Sequence, residues 1–189
     1  FSSIDKFDLN KFPKLEFTNP IKFKLEKGES IYIPKGWWHW IKSTEKSFAI
    51  NYWFNNQNNL NPFVFNYHIE YDIKSFNKQE VYVWDSFNDD LSHNYVTLFE
   101  NFFNSGLDNR FVVTLDRDYP NENTNQHLKN LVKPHIKFPI HEKLSRKNIF
   151  DFNLWISSGT HDTGLHYDDE DGVLSLIEGS KDIILFPPS

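Results

Sequence analysis

The chain contains no cysteine and no methionine, and only seven glycines among its 189 residues. Without cysteine there can be no disulfide, no thiolate metal site and no cysteine nucleophile, so any metal must be held by His, Asp or Glu. That composition suits a reducing compartment, and an intracellular location, cytoplasmic or nuclear, is expected. With no methionine there is no initiator, and the chain reads as a processed or partial sequence. No apolar run approaches the roughly 18 to 20 residues that cross a bilayer, and Phe1-Ser2-Ser3-Ile4-Asp5 has no basic region followed by an apolar one. Neither a membrane span nor a secretory signal is expected. Basic excess is also missing: 20 Lys and Arg stand against 26 Asp and Glu, a net charge of -6, which excludes a general nucleic-acid binder. Oligomeric state is not legible.

What is abundant is aromatic surface. Nineteen Phe, eight Tyr and six Trp supply a core that a disordered tail lacks, and a chain of this length buries roughly 70% of its unfolded surface. One core is expected. Short strands separated by turns are predicted over 21–25, 30–33, 37–41 and 47–54, with turns at Lys27-Gly28 and Pro34-Lys35-Gly36. In the last strand the period of two places Phe48, Ile50, Tyr52 and Phe54 on one face and Ser47, Ala49, Asn51 and Trp53 on the other. The polar run 55–59 reads as a loop. Between 86 and 106 the spacing of Leu91, Tyr95, Leu98, Phe99, Phe102 and Phe103 predicts one helical stripe ending at Gly106. A strand over 110–115 and a second helix over 124–132, capped by Thr124, follow. Strands return at 152–157, 165–167, 173–177 and 181–186. The pattern is two β-rich ends around a more helical middle, without a solenoid repeat.

Two His-x-acid pairs occur, His68-Ile69-Glu70 and His166-Tyr167-Asp168, against about one expected by chance for this composition. Each would put two ligands on one strand face. Either alone is ordinary surface decoration, Trp37-Trp38-His39-Trp40 alone is core packing, and Lys181 alone is a solvated strand end.

Context separates them. The run Gly159-Thr160-His161-Asp162-Thr163-Gly164-Leu165-His166-Tyr167-Asp168, continuing through Gly179-Ser180-Lys181 to Phe186-Pro187-Pro188, resembles the first half of a JmjC or cupin-like 2-oxoglutarate oxygenase domain. The run from Gly28 through Pro34-Lys35-Gly36-Trp37-Trp38-His39-Trp40 to Ala49-Ile50-Asn51 resembles that family's second half, in the branch holding the asparaginyl hydroxylase that inhibits the hypoxia-inducible factor. The resemblance implies a mainly β fold, a double-stranded β-helix (cupin or jelly-roll barrel) with added helices. It implies His39, His166 and Asp168 as Fe(II) ligands, Lys181 and Thr163 at the distal carboxylate of 2-oxoglutarate, and Asn51 in the same pocket. Two positions depart from the family: Gly172 stands where a pocket asparagine is found, and Val112 where a tyrosine contacts the cosubstrate. The remaining histidines, His68, His93, His127, His135, His141 and His161, read as surface or packing residues, with His161 close enough to the site to watch.

The chemistry wants such residues independently. Two imidazoles and a carboxylate cover one face of an octahedral Fe(II) and leave three positions for a bidentate 2-oxo acid and O2. A lysine on the strand face of Ile183 and Leu185 would be costly inside a barrel unless an anion neutralised it. The expected activity is Fe(II)- and 2-oxoglutarate-dependent hydroxylation of a protein or peptide side chain with release of succinate and CO2. N-methyl demethylation is a variant, and a non-catalytic cupin that binds metal or ligand is the alternative.

Order is inverted: the family's His-x-Asp half comes first, whereas here His39 precedes His166. A circularly permuted single domain over 1–189 would account for this, with 1–55 as the second barrel half, 56–150 as a mixed helical connection and 151–189 as the first half. A fragment spanning two tandem domains would also account for it and would leave two separate half-sites.

Overall fold

A computed structural model describes residues 19–56, 59–86, 93–114, 125–139, 141–144 and 149–188. Its strands are β1 (Ile21–Glu26), β2 (Glu29–Ile33), β3 (Trp38–Ser43), β4 (Ser47–Phe54), β5 (Phe63–Asn66), β6 (Glu80–Asp85), β7 (Tyr95–Leu98), β8 (Arg110–Val113), β9 (Ile149–Ser157), β10 (His161–Asp162), β11 (Asp171–Glu178) and β12 (Ser180–Phe186). Two short helices, α1 (Phe99–Phe103) and α2 (Gln126–Val132), accompany them. The strands form two antiparallel sheets, one ordered β1-β12-β3-β10 and the other β5-β2-β11-β4-β9-β8-β6-β7. The expected mainly β, jelly-roll architecture is therefore what the chain adopts.

Strands from the two ends of the sequence alternate. In the smaller sheet β12 lies between β1 and β3, and in the larger β11 lies between β2 and β4. Between the sheets sits an aliphatic core of Leu25, Ile31, Ile33, Ala49, Leu174, Leu176, Ile183 and Leu185. The opposite face of the larger sheet carries a more aromatic core, in which Phe48, Ile50, Tyr52 and Phe54 of β4 meet Phe76, Phe99, Phe102, Leu128 and Val132. The period of two in β4 thus sorts its side chains as expected, with Ala49 between the sheets and Asn51 and Trp53 facing a cavity. Phe48, Phe54, Phe76 and Phe99 are fully buried, each worth about 1.5–3 kcal/mol of transfer free energy, enough to hold α1 and α2 against the sheet despite their length.

The middle is less helical than expected. Tyr95–Leu98 is a strand paired with β6, and among the described residues 95–106 the α-helix is Phe99–Phe103. Leu98 is partly exposed instead of packing with Phe102. In the strand Tyr95 and Thr97 are half-buried while Val96 and Leu98 are exposed, and the β-branched pair at its centre favours this conformation. Leu91, Leu115 and Thr124 lie outside the described residues, as do Phe1 and Ser189. Residues 165–167 make only one isolated bridge instead of a strand, and the two-residue β10 precedes them. The region 56–150 adds β5, β6, β7 and β8 to the larger sheet, so it extends the sheet more than it adds helices.

The β11–β12 turn depends on Gly179, whose φ is +84° and whose Cβ, if present, would lie 2.3 Å from the Lys46 carbonyl oxygen. Both the left-handed backbone and the backbone contact oppose any side chain there. Gly179→Ala is expected to destabilise the fold by more than about 2 kcal/mol in urea unfolding, whereas Gly36→Ala, where nothing lies within 4 Å, should cost about 1 kcal/mol for φ strain alone.

Candidate metal centre and its cavity

His39 and His166, 127 positions apart by their numbers, are joined through their backbones. The His39 N–H donates to the His166 carbonyl at 2.7 Å and the His166 N–H to the His39 carbonyl at 3.0 Å. This isolated antiparallel bridge sets the imidazole centroids 4.2 Å apart. The Gly36 N–H, at the end of the Pro34-Lys35-Gly36 turn, donates to the Asp168 carbonyl at 3.0 Å and holds the third residue in place. Asp168 Oδ2 lies 3.9 Å from His39 Nε2, and one ligating atom from each of the three residues falls within 4.8 Å of the others.

Both rings are oriented from behind. His39 Nδ1 is 2.9 Å from the Trp37 carbonyl and His166 Nδ1 is 3.1 Å from the Gly164 carbonyl. A carbonyl only accepts, so in the neutral ring Nδ1 carries the proton and Nε2 keeps its lone pair for a metal. Burial first, and the neighbouring His166 second, push the His39 pKa down to about 4, so the ring is neutral at pH 7. Two imidazoles and a carboxylate, with no thiolate, make a donor set that fits Fe(II).

These residues line a cavity of about 350 Å³. Asn51, Thr163, Gly172 and Lys181 line it too, so the expected metal ligands and cosubstrate-binding residues face this one space. Lys181 is 6% exposed, and its Nζ donates to Ser43 Oγ at 2.6 Å and Ser47 Oγ at 3.1 Å. Ser47 in turn bonds Ser157 at 2.9 Å. Burial lowers the Lys181 pKa to about 8. Thr163 Oγ1 donates to the carbonyls of Ile41 and Gly164. Phe111, Trp155 and Leu174 make much of the remaining wall apolar.

Some expectations shift. Val112 belongs to the aromatic core on the far side of the sheet, and it is Phe111 that reaches the cavity. Alternation along β8 permits only one of the two to do so. His68 and Glu70 are exposed, 3.9 Å apart, and form no group of three ligands among the described residues. Two further residues reach the site, Trp53 and His161, the second already marked in the sequence as near it. Trp53 donates from Nε1 to Asp168 Oδ2 at 3.2 Å, and its place two residues after Asn51 on one strand face was the available signal. His161 is buried in the cavity wall, stacked on Phe111 at 4.5 Å between centroids. Burial, and secondarily Lys181, lower its pKa to about 3.

The profile of the cupin-like domain family matches residues 1–60 and 74–189. The chain is 30% identical over its whole length to a putative JmjC domain-containing protein of Acanthamoeba polyphaga mimivirus, of which it spans 37%. It is 45% identical over 51 residues to JmjC domain-containing protein C of Dictyostelium discoideum, 27% of this chain and 12% of that protein. Over 57 residues it is 40% identical to a lysine-specific demethylase of Arabidopsis thaliana, 29% of this chain and 13% of that protein. No solved structure matches the chain. No helix among the described residues is long and apolar enough to cross a membrane.

Proposed function

This chain belongs to the cupin-like domain family and has JmjC relatives, and from that premise we propose that it is an Fe(II)- and 2-oxoglutarate-dependent oxygenase that hydroxylates a protein side chain. The observation that carries this reading is the pairing, in one cavity, of a His, His, Asp group with a buried lysine whose hydrogen bonds among the described residues go to hydroxyls. A metal-binding cupin needs the first; an organic anion as cosubstrate explains the second.

Iron held by His39, His166 and Asp168, with 2-oxoglutarate and O2, would supply oxidative decarboxylation to succinate and CO2, one oxygen atom entering succinate and the other the substrate's C–H bond. The chain's own residues bind and orient. Trp53 steers the Asp168 carboxylate, and the Trp37 and Gly164 carbonyls fix the two imidazole tautomers. Lys181, set by Ser43 and Ser47, receives the distal carboxylate beside Thr163. Phe111 and Trp155 exclude water from the reacting end.

The alternation of strands from 21–54 and 149–186 supports reading residues 1–55 and 151–189 as the two halves of one permuted domain, with 56–150 as the connection. The tandem-fragment reading requires His39 far from Asp168, and the two lie 3.9 Å apart at their nearest ligating atoms.

A second reading is N-methyl demethylation, favoured by the name of the Arabidopsis relative. Both begin with attack on a C–H bond, and products separate them. Incubation with Fe(II), 2-oxoglutarate and candidate peptides is expected to give succinate and a peptide one oxygen atom heavier. Formaldehyde with loss of a methyl group would assign demethylation instead. Metal binding with no succinate above the protein-free control would make the chain a binding module and overturn the proposal.

A further inference from the structure

His161 has no part in the reading above, yet it faces the same cavity. In the smaller sheet Ser43 on β3 pairs directly with Lys181 on β12 and with His161 on β10. Directly opposed residues on neighbouring strands project from the same face, so Lys181, Ser43 and His161 form one row across three strands. All three line the cavity. With neighbouring strands about 4.8 Å apart, Lys181 and His161 flank the short Ser43 side chain at about 10 Å between their backbones. Two nitrogen-bearing side chains on either side of a serine make a notch open to the cavity, with Lys181 Nζ bonded to the serine hydroxyl at 2.6 Å.

The imidazole is held to face that notch. It is 8% exposed, its ring lies nearly parallel to Phe111 (20° between planes), and its Nδ1 is 3.2 Å from Ser86 Oγ. The nearest carboxylate on its own strand, Asp162, is engaged by the Gly164 N–H at 3.2 Å. A dicarboxylic ligand therefore meets nitrogen donors on both sides of Ser43 and an apolar wall beyond.

Resting on the oxygenase reading, we infer that His161 is a specificity-determining residue: it donates a hydrogen bond from Nε2 to the distal carboxylate of the 2-oxo acid, opposite Lys181, and so selects a dicarboxylic over a monocarboxylic cosubstrate. In this role the Ser86 hydroxyl, whose Oγ is 3.2 Å from both the Asn109 carbonyl and His161 Nδ1, turns its proton from the carbonyl to Nδ1, which places the neutral ring's proton on Nε2. One carboxylate oxygen goes to Lys181 and the other to His161. The cation next to it, which burial alone leaves uncompensated, then shares its anion with a neutral donor and not with a second positive charge.

Binding decides this without turnover. Protein loaded anaerobically with Mn(II) is titrated with 2-oxoglutarate and with 2-oxobutanoate, which lacks the distal carboxylate, following fluorescence of Trp53 and Trp155 in the cavity wall and calorimetry in parallel. His161→Phe keeps the stack on Phe111 and removes the donor; it is expected to weaken 2-oxoglutarate binding about 10-fold or more, as for loss of a hydrogen bond to a charged group, and to leave 2-oxobutanoate unchanged. His161→Gln, which restores a donor, should recover most of the affinity. Equal 2-oxoglutarate affinity in wild type and His161→Phe overturns the inference, as does an equal loss for both ligands, which marks mere distortion. If Lys181→Ala loses 2-oxoglutarate while His161→Phe keeps it, this inference fails and the oxygenase reading stands. If the wild-type protein binds Mn(II) but no 2-oxoglutarate, both fail together.

Discussion

Replacing Asp168 with Ala is expected to lower Fe(II) affinity by more than about 100-fold and to abolish succinate formation, because loss of a supporting partner behind a ligand already costs about 10–100-fold and Asp168 supplies the only carboxylate of the set. Trp53→Phe provides the graded comparison. It removes the Nε1 donor 3.2 Å from Asp168 Oδ2 without removing the ligand, and should fall within that smaller range. The fold should tolerate Asp168→Ala, since the Asp168 side chain is 31% exposed and what fixes the local chain is the bond from the Gly36 N–H to the Asp168 backbone carbonyl, which alanine retains. Metal titration by Mn(II) spin resonance and thermal melting of the metal-free protein check both halves. Undiminished metal affinity in Asp168→Ala would remove Asp168 from the centre and with it the proposed iron site.

Lys181→Met is expected to do two opposite things. Binding of 2-oxoglutarate should weaken by about 100-fold or more while metal affinity holds, since a charge-assisted bond is lost from an enclosed pocket and the metal ligands are untouched. The metal-free, cosubstrate-free fold should become more stable. Lys181 is 6% exposed with hydroxyl partners only, and burial takes its pKa from 10.5 to about 8. A fall of that size corresponds to on the order of 3 kcal/mol of destabilisation wherever the unfolded lysine is charged. The sign follows from proton counting: between pH 8 and 10.5 the unfolded chain holds a proton that the folded chain has released, so wild-type stability should rise with pH across that window. The penalty is fully present below pH 8. Lys181→Met should remove that slope, as measured by urea unfolding at pH 7 and pH 10. A wild-type protein equally stable at both would mean that the lysine is compensated in the fold, and unaltered 2-oxoglutarate binding in the variant would place the cosubstrate elsewhere. A stabilising substitution that abolishes binding is the mark of a group kept for its ligand.

Local chemistry made much of the fold legible. In β4 the alternation of large and small residues placed Phe48 and Tyr52 in the core and Asn51 on the cavity side, because a strand's period is intrinsic to its backbone. Turn glycines marked the strand ends for the same reason: Gly28 and Gly36 both have positive φ. Tyr95–Leu98 was misread as helical, whereas Phe99–Phe103 is helical as expected, because short apolar runs fit both periods. Pairing of Val81, Tyr82 and Val83 with Thr97, Val96 and Tyr95 settled it as a strand, and no local pattern reports a partner that far along the chain.

By itself the sequence determined the kinds of donor available, the spacing of His166 to Asp168, the absence of thiolates and the burden of a lysine on an apolar strand face, since these follow from residue type and strand period. Only the tertiary structure decided which groups meet. The bridge between His39 and His166, the hold of Trp53 on Asp168, the choice of Phe111 over Val112 for the cavity and the row of Lys181, Ser43 and His161 all depend on strand register. Register is a long-range property: a shift of one residue in β3 would turn His39 and Ser43 away from the cavity, and what prevents it is burial of the aliphatic core between two sheets whose strands come from opposite ends of the chain.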